Sequence, residues 1–230
     1  VMSTWNPPNW PPMVEAAGYE KAQALYSWFL EESIFTDRFR QLAERVEKKF
    51  ETRGENVVTR AVDMKRFGEE LERVRVIYNS AWAKNWGFVP ITPPEIQFLA
   101  KEVKPIIVPE LIRFIEVNGK PAGFTWMLPN YNEALRYMNG RLGPREIALF
   151  LLMKGRIKGV RVLTMGVVEE YRGRGLESLM ISDVIDHARE RGYCWADLSW
   201  VLEDNARLNR ILKGVGSELY RVHRIYSKRV

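Results

Sequence analysis

Apolar and polar residues alternate along this chain with two different periods, and the change from one to the other predicts its elements. Over residues 36–50 apolar side chains recur every three to four positions, which predicts an amphipathic helix. Residues 57–62 form a short β-rich run. Asp63 then stands where a helix cap is needed, before a helix whose apolar face carries Phe67, Leu71 and Trp82. A second helix is predicted over residues 93–103.

The dipeptide Asn118-Gly119 is the strongest turn signal in the sequence. It separates two apolar runs, residues 111–117 and 121–128. Because both residues tolerate positive φ, the pair favours a two-residue hairpin turn. We therefore predict two antiparallel strands joined at this point.

The last third of the chain alternates between strand-like and helix-like patterns. The predicted strands cover residues 161–168, 194–200 and 220–227, and the predicted helices lie at 176–191 and 203–213. Residues from about 130 to 159 have no clear period and are interpreted as an insert. This order predicts a mixed α/β (α+β) domain in which helices flank a central sheet.

The first fifty residues are interpreted as a helical N-terminal arm. Four prolines between residues 7 and 12 exclude a helix or a central strand at the very start. A helix is predicted just after them, ending near Gly18. The break at residues 52–56 places the boundary, giving an arm over 1–53 and a domain over 54–230. Because position 1 is Val, we expect the natural start to lie upstream, so that residues 22–29 would expose apolar surface.

Composition and charge narrow the classes of protein. The chain has a net charge of +6, but its basic residues are interleaved with acidic ones, which disfavours a nucleic-acid partner. Cys194 is the single cysteine, and the only histidines are His187 and His223, so we expect neither disulfides nor a metal site. No apolar run is long enough to cross a bilayer. We therefore expect a cytoplasmic protein without membrane insertion.

The segment with the clearest chemistry is residues 167–176, Val-Val-Glu-Glu-Tyr-Arg-Gly-Arg-Gly-Leu. It lies between a predicted strand and a predicted helix. Gly173 and Gly175 would let the backbone turn tightly, and the helix N-terminus would add partial positive charge, which suits a pyrophosphate. Arg172 and Arg174 could add to this charge or face solvent. Taken alone, the motif also fits a basic surface turn.

In context, the segment resembles the pyrophosphate loop of the GNAT superfamily of acyl-CoA-dependent N-acyltransferases, with Arg172 and Gly175 on the matching positions. The hairpin before the loop and Asn205 at the start of the next helix follow the family order. The resemblance implies a splayed central sheet and acetyl-CoA, or a longer acyl-CoA, as co-substrate. The residues implied to bind it are Gly166, Val167, Val168, Arg172, Gly173, Arg174, Gly175, Leu176 and Asn205. It also implies that a strand amide at Val167 or Val168 polarises the thioester carbonyl.

Two positions depart from the family pattern. Glu177 replaces a small residue at the end of the loop, and Leu212 stands where the family usually has a tyrosine acid. We therefore take Glu203 as a candidate base and Tyr220 as a candidate acid, although helix capping and strand packing are the ordinary roles of such residues. Asp197 is assigned to the exposed polar face of its strand. Ser199 is not taken as a nucleophile, because no histidine lies nearby in the sequence.

Aromatic and amide side chains cluster between residues 78 and 88. By the family arrangement, Trp82, Asn85, Trp86 and Phe88 would line the acceptor site, and the alternative is a core plug. Residues 6–19 resemble the end of a GNAT domain, so the chain could pack against an upstream domain or form a homodimer.

The function expected is transfer of an acyl group from CoA to an amine of a small molecule or peptide. One alternative is a domain that binds acyl-CoA, or acts as a scaffold, without catalysis. Another is a basic nucleic-acid binder, which the scattered charge disfavours.

Overall fold

The computed structural model describes residues 6–31 and 37–229. Some of the predictions above include residues 1, 36 and 230, which lie outside the described residues. The helices are α1 (Trp10–Ala16), α2 (Asp37–Thr52), α3 (Phe67–Trp82), α4 (Pro93–Val103), α5 (Asn132–Leu135), α6 (Pro144–Lys154), α7 (Leu176–Glu190) and α8 (Ala206–Gly214). The strands are β1 (Glu20–Glu31), β2 (Val57–Ala61), β3 (Ile112–Val117), β4 (Lys120–Pro129), β5 (Gly159–Val167), β6 (Trp195–Leu202) and β7 (Glu218–Ser227).

Contacts divide the described residues into two compact units. The first unit takes its residues from Val1–Phe35, Asn130–Arg161 and Trp195–Val230, and the second from Thr36–Pro129 and Val162–Cys194. Strands follow the order β5-β6-β1-β7 in the first unit and β2-β3-β4-β5 in the second, so β5 contributes to both. Helices flank these strands, which confirms the predicted mixed α/β class.

The predicted hairpin in the second unit is confirmed. Strands β3 and β4 pair antiparallel, with Val117 opposite Lys120. Asn118 and Gly119 have φ values of 52° and 74°, the left-handed conformations that a tight two-residue turn requires. Strand β2 extends this sheet by pairing with β3.

Two apolar clusters form the core of the second unit. One joins α3 to the hairpin, and Phe67, Val74, Phe114 and Phe124 are its buried centre. The other cluster contains residues of α2, β3, β4, β5 and α7. Its buried members are Val46, Phe50, Ile115, Val117, Ala122, Val167, Tyr171, Leu176 and Met180. Helix α2 therefore packs on the elements around the glycine motif, although the sequence assigned it to a separate arm.

Strand β1 is the main element that sequence reasoning missed. It lies between β6 and β7 and pairs antiparallel with both. Ala24, Trp28 and Leu30 are 2%, 6% and 5% exposed. The expectation that residues 22–29 expose apolar surface is therefore wrong for Ala24 and Trp28, and Trp28 packs with Val201 and with Leu212 of α8 in the first unit.

The insert over residues 130–159 also belongs to the first unit and forms α5 and α6. Its ends are held at the start of β5. The Asn130 amide donates to the Gly159 carbonyl at 2.8 Å, and the Glu133 carboxylate accepts from the Gly159 amide at 2.7 Å. None of the residues of α6 is buried.

The described residues bear on two further expectations. They include no helix that is long and apolar enough to cross a membrane. Over the same residues, no group of three or more His, Cys, Asp or Glu side chains is arranged to hold a metal ion.

Candidate functional site

The glycine motif of the second unit forms a tight loop between β5 and α7. A short 3-10 turn over Glu169–Tyr171 leads into it. Gly173 and Gly175 have φ values of 78° and 94°, and Gly175 is the N-cap of α7. Both glycines are therefore required by the backbone conformation, since side chains with a Cβ are strained there.

The loop presents backbone amides at the start of a 15-residue helix. The Arg172 amide donates to the Glu169 carbonyl at 3.2 Å. In the described hydrogen bonds, the amides of Gly173, Arg174 and Gly175 have no acceptor. Three consecutive unpaired donors and the positive end of the α7 dipole make a concave site suited to a phosphate group.

Both arginine side chains of the loop are engaged by the protein. The Arg172 guanidinium donates to the Ala81 carbonyl and, at 3.4 Å, to the Val167 carbonyl. It thus joins the end of α3 to the end of β5. Arg174 forms an ion pair with Glu55 and lies over the Phe50 ring, 4.4 Å from its centroid. Neither guanidinium points freely into solvent, so backbone amides are the available phosphate donors of this loop.

The floor of the loop is tightly packed. A Cβ built on Gly175 would come within 2.6 Å of Val46 Cγ2, and Leu176 is fully buried. Helix α2 therefore fixes the loop from below. Glu177 follows in the first turn of α7, where a carboxylate interacts favourably with the helix dipole but opposes a bound anion.

The end of β5 is placed next to the predicted aromatic group. A Cβ on Gly166 would meet the Trp82 ring at 2.4 Å. The Val168 amide donates to the Ala122 carbonyl at 2.9 Å, and Val167 is buried. The Val168 amide is thus hydrogen bonded to β4 in this structure, and the polarisation of a thioester by an amide at Val167 or Val168 stays a prediction.

The aromatic group has both a packed part and an exposed part. Trp82 stacks on Tyr78 with ring centroids 4.6 Å apart, and Tyr78 also contacts Phe88 at 5.8 Å. Asn85 continues the turn by donating its amide to the Trp82 carbonyl at 2.8 Å. Trp86 is 49% exposed. The core interpretation thus fits Trp82, whereas Trp86 remains accessible to an acceptor.

A buried ion pair fixes α7, the helix that begins at the loop. Arg113 of β3 binds both carboxylate oxygens of Asp183, at 2.6 and 3.0 Å. The Thr59 hydroxyl donates to the same carboxylate at 2.7 Å. Because both charged side chains are largely buried, this contact holds α7 on the hairpin, and with it the amides of the loop.

The remaining predicted site residues lie in the first unit. Asn205 is the N-cap of α8, and its side-chain oxygen accepts from the Leu208 amide at 3.2 Å. Glu203 binds Lys21 at 2.6 Å and the Ala24 amide at 2.9 Å. The hydrogen bond from Lys21 lowers the pKa of Glu203, and the one from the Ala24 amide lowers it further, whereas desolvation acts in the opposite direction. These contacts tie β1 to the end of β6, and they make Glu203 a weak base.

Tyr220 occupies a different environment. Burial raises its pKa to about 12, with a further contribution from Asp197, to which its hydroxyl hydrogen-bonds. It therefore keeps its proton at neutral pH, as an acid requires and a base does not. Asp197 itself is only 7% exposed, and Ser199 6%. The assignment of Asp197 to an exposed polar face is wrong, because alternation along a strand does not reveal which face is covered.

His223 and Leu212 of the first unit both lie in packed surroundings. His223, which sequence reasoning set aside, lies against Trp200 with ring centroids 5.7 Å apart. Burial lowers its pKa, as do the charges of Arg221 and Arg161. Leu212, at the position of the missing tyrosine acid, is buried with Trp28 and Val201, so it serves as a packing residue.

Comparison with known proteins agrees with these observations. Residues 71–216 match the model of the Acetyltransferase (GNAT) family. The chain is 38% identical over 224 residues to a bacterial ceramide synthase from Caulobacter vibrioides (strain NA1000 / CB15N), covering 94% of this chain and 57% of that protein. It is 33% identical over 226 residues to protein YghO of Escherichia coli (strain K12), covering 94% and 56%. The chain thus spans a little over half the length of these two relatives.

A solved structure shows the same fold at low sequence identity. The GCN5-related N-acetyltransferase from Sphaerobacter thermophilus is 12% identical to this chain, with a TM-score of 0.57, over 94% of this chain and 54% of that one. The family match covers more than half of the chain and includes the loop at the start of α7. The chain therefore belongs to the GNAT acetyltransferase family.

Proposed function

We propose that this chain binds an acyl-CoA and transfers its acyl group to the amine of a long-chain amino alcohol. The observation that carries the first half is the row of unpaired amides of Gly173, Arg174 and Gly175 at the N-terminus of α7. Backbone donors on a rigid loop suit the pyrophosphate of CoA. The second half is supported by the relative named a ceramide synthase, since a ceramide is the amide of a fatty acid and a long-chain amino alcohol.

The residues of the loop would hold the nucleotide end of the co-substrate. The backbone around Gly166 and Val167 would accompany the pantetheine arm. The acyl-CoA supplies an activated thioester. What the chain must add is a place for the amine, a path for its proton and a donor for the leaving thiolate.

The transfer itself balances without a further reagent. The ammonium of the acceptor loses a proton, its nitrogen forms a bond to the acyl carbon, and the carbon–sulfur bond breaks. The nitrogen then loses a second proton, the CoA thiolate gains one proton, and the other is released to water. Tyr220, the acid candidate from the sequence, is protonated at neutral pH, but its raised pKa makes it a poor proton donor to the thiolate. Glu203 is a poor candidate base, since Lys21 and the Ala24 amide already engage its carboxylate.

Among the acceptor residues predicted from sequence, Trp86 and Asn85 fit a binding role better than Trp82. Trp86 is half exposed, whereas Trp82 is enclosed by Tyr78, Phe124 and Gly166. Trp86 is therefore the member of this group that is open to a ligand, and Trp82 supports the strand beneath it.

Calorimetric titration tests the binding of the co-substrate. Palmitoyl-CoA, acetyl-CoA and free CoA should bind, and palmitoyl-pantetheine, which lacks the pyrophosphate, should bind far more weakly. Gly175→Ala should abolish binding, because its φ of 94° and the Val46 contact leave no room for a Cβ. Gly155→Ala is the matched control, since a Cβ there meets nothing within 4 Å. Equal binding of the pantetheine and CoA thioesters would refute the assignment of the loop.

Mass spectrometry of the products tests the transfer. Palmitoyl-CoA should yield an amide with a long-chain amino alcohol, at a higher rate than with the amine of a short peptide. Amide formation with the peptide alone would overturn the lipid acceptor and retain the acyltransferase.

A non-catalytic acyl-CoA-binding domain is the second candidate. It is favoured by the burial of Leu212 where the family has an acid and by the engagement of Glu203. Tight acyl-CoA binding without product on any amine would select it.

A further inference from the structure

Strands β6 and β1 of the first unit gather buried oxygen atoms on one face. Asp197 and Ser199 are two residues apart on β6 and so point to the same side. Ser27 of β1 is the register partner of Ser199, and Phe29 is the partner of Asp197. Residues opposite one another in an antiparallel pair share a face. A carboxylate and two hydroxyls therefore lie together inside this unit.

These oxygens are buried without hydrogen bonds. Ser27, Asp197 and Ser199 are 1%, 7% and 6% exposed. Across the residues the structure describes, Asp197 Oδ1 and the Oγ atoms of Ser27 and Ser199 have no hydrogen-bond partner. Leaving such a group unsatisfied is destabilising and rare in native proteins. Three of them on one face indicate a site that a ligand with several donors would complete.

Aromatic rings surround the oxygens and define the approach to them. Phe29 contacts Trp195 and Tyr220, with centroid distances of 5.6 and 6.2 Å. The Tyr220 hydroxyl pairs with Asp197. Tyr220 is 37% exposed, so this aromatic group reaches the surface beside the carboxylate.

Charged side chains near Tyr220 and His223 bear on the protonation state of an amine bound by Asp197. Asp197 is the negative charge that acts on Tyr220 and His223, and Arg221 and Arg161 are the positive ones. Burial and these guanidinium groups lower the pKa of His223, so its ring stays neutral at neutral pH. A carboxylate binds an ammonium strongly. The nearby guanidinium groups would at the same time lower the pKa of that ammonium and favour the neutral nucleophile.

We propose that Asp197 binds the acceptor amine and that Ser199 and Ser27 bind a hydroxyl group next to it. The ligand class is a primary amino alcohol. This inference rests on the proposed function and names residues of the first unit that would recognise the head group of its acceptor. Asp197 Oδ1 accepts from the ammonium, while the two hydroxyls distinguish an amino alcohol from a simple amine.

Equilibrium binding without acyl-CoA provides the test. The ligands are 2-amino-1-octanol, octylamine, which lacks the hydroxyl, and 1-octanol, which lacks the amine. The wild-type chain should prefer the amino alcohol to both. Asp197→Asn should weaken its binding at least about tenfold, as loss of a charged hydrogen bond predicts, and should remove the preference over 1-octanol. Asp204→Asn, an equal charge change at an exposed residue, should have no effect.

A second variant keeps the test independent of folding. Ser199→Ala removes one hydroxyl and should reduce the preference for the amino alcohol over octylamine, with octylamine affinity unchanged. Asp197→Asn should also leave the affinity for palmitoyl-CoA unchanged. Equal binding of all three ligands to the wild-type chain, or undiminished binding to Asp197→Asn, would overturn the proposal.

The proposed function and this inference fail in different ways. If palmitoyl-CoA does not bind but amino alcohol binding depends on Asp197, the transferase proposal fails and the amine site stands. If palmitoyl-CoA binds and an amide forms in Asp197→Asn with unchanged KM for the amine, the transferase stands and the site is wrong.

Discussion

Gly166 lies directly against Trp82, so that a Cβ built on the glycine would come within 2.4 Å of the indole Cζ3 and 2.9 Å of the Ala81 Cβ. The sequence assigned the first residue to the co-substrate and the second to the acceptor. In the structure the two residues are in contact. Strand β5 has no side chain at Gly166, and α3 places the Trp82 ring at that point. The aromatic group therefore supports the end of β5.

Gly166→Ala should destabilise the second unit. Trp82 is stacked on Tyr78 and has little freedom to move, so overpacking should cost about 1–3 kcal/mol. Gly68→Ala is the control, because a Cβ there meets nothing within 4 Å in the same unit. Urea unfolding measures both. If the two variants unfold at the same urea concentration, the contact is not tight in solution.

Asp183→Asn should be among the most destabilising substitutions in α7. It leaves the Arg113 guanidinium, which is 8% exposed, without its charged partner, and breaking a buried pair costs about 3–5 kcal/mol. Thr59→Val removes only one hydrogen bond to the same carboxylate and should cost about 1 kcal/mol. Chemical unfolding of both variants measures the two losses in the free energy of unfolding. Similar losses would show that the ion pair contributes little.

Glu177→Gln should strengthen the binding of CoA. The carboxylate stands in the first turn of α7, where its charge repels the pyrophosphate that the loop amides would bind. Removing it should tighten CoA severalfold, by about 0.3–1 kcal/mol as for other charges at helix ends. Titration with CoA and with uncharged pantetheine separates this effect from a change in the loop. Weaker CoA binding in the variant would argue for a direct supporting role of Glu177.

Tyr220 should make the free energy of unfolding depend on pH above 10. Its pKa is raised from 10.0 to about 12 in the folded chain. The folded state therefore holds a proton that the unfolded state releases, and stability present below pH 10 is lost as pH rises towards 12. Tyr220→Phe should remove this part of the slope. Unfolding of both chains between pH 9 and 11.5 tests it, and parallel curves would contradict the pairing with Asp197.

Glu203→Ala should reduce stability at pH 7 without reducing the rate of transfer. Its carboxylate holds Lys21 and the Ala24 amide of β1. The lowered pKa of Glu203 means that this support is present above the ordinary glutamate range and is lost as pH falls through the lowered value. Thermal unfolding and the kcat for amide formation are the two measurements. A large loss of kcat in a variant of unchanged stability would restore Glu203 as the base.

Local signals in the sequence were sufficient for much of the second unit. Asn118-Gly119 determines its turn because few residues adopt positive φ, and Asp63 accepts from the Lys65 amide as a cap should. The glycine loop was predictable for the same reason. The partners of Arg172 and Arg174 were not predictable, since the Ala81 carbonyl and Glu55 are far away from them in the sequence.

The first unit was harder to predict because its contacts are between distant segments. Strand β1 was missed since its partners lie about 180 residues later, as the Lys21–Glu203 pair shows with a separation of 182. Asp197 was misjudged because a polar residue in an alternating strand looks the same whether water or protein covers it. The signal that could have found it is the pair of small polar residues, Asp197 and Ser199, on one face of an otherwise apolar strand.

The position of β1 has a consequence for the synthesis of the chain. Residues 20–31 leave the ribosome well before β6 and β7, the two strands that flank them. Closing so long a loop is slow, so the nascent chain must carry Trp28 and Leu30 without their native partners until β6 and β7 emerge. A chaperone that recognises extended apolar segments could bind this stretch during that interval, and a ribosome stalled before residue 195 would display it indefinitely.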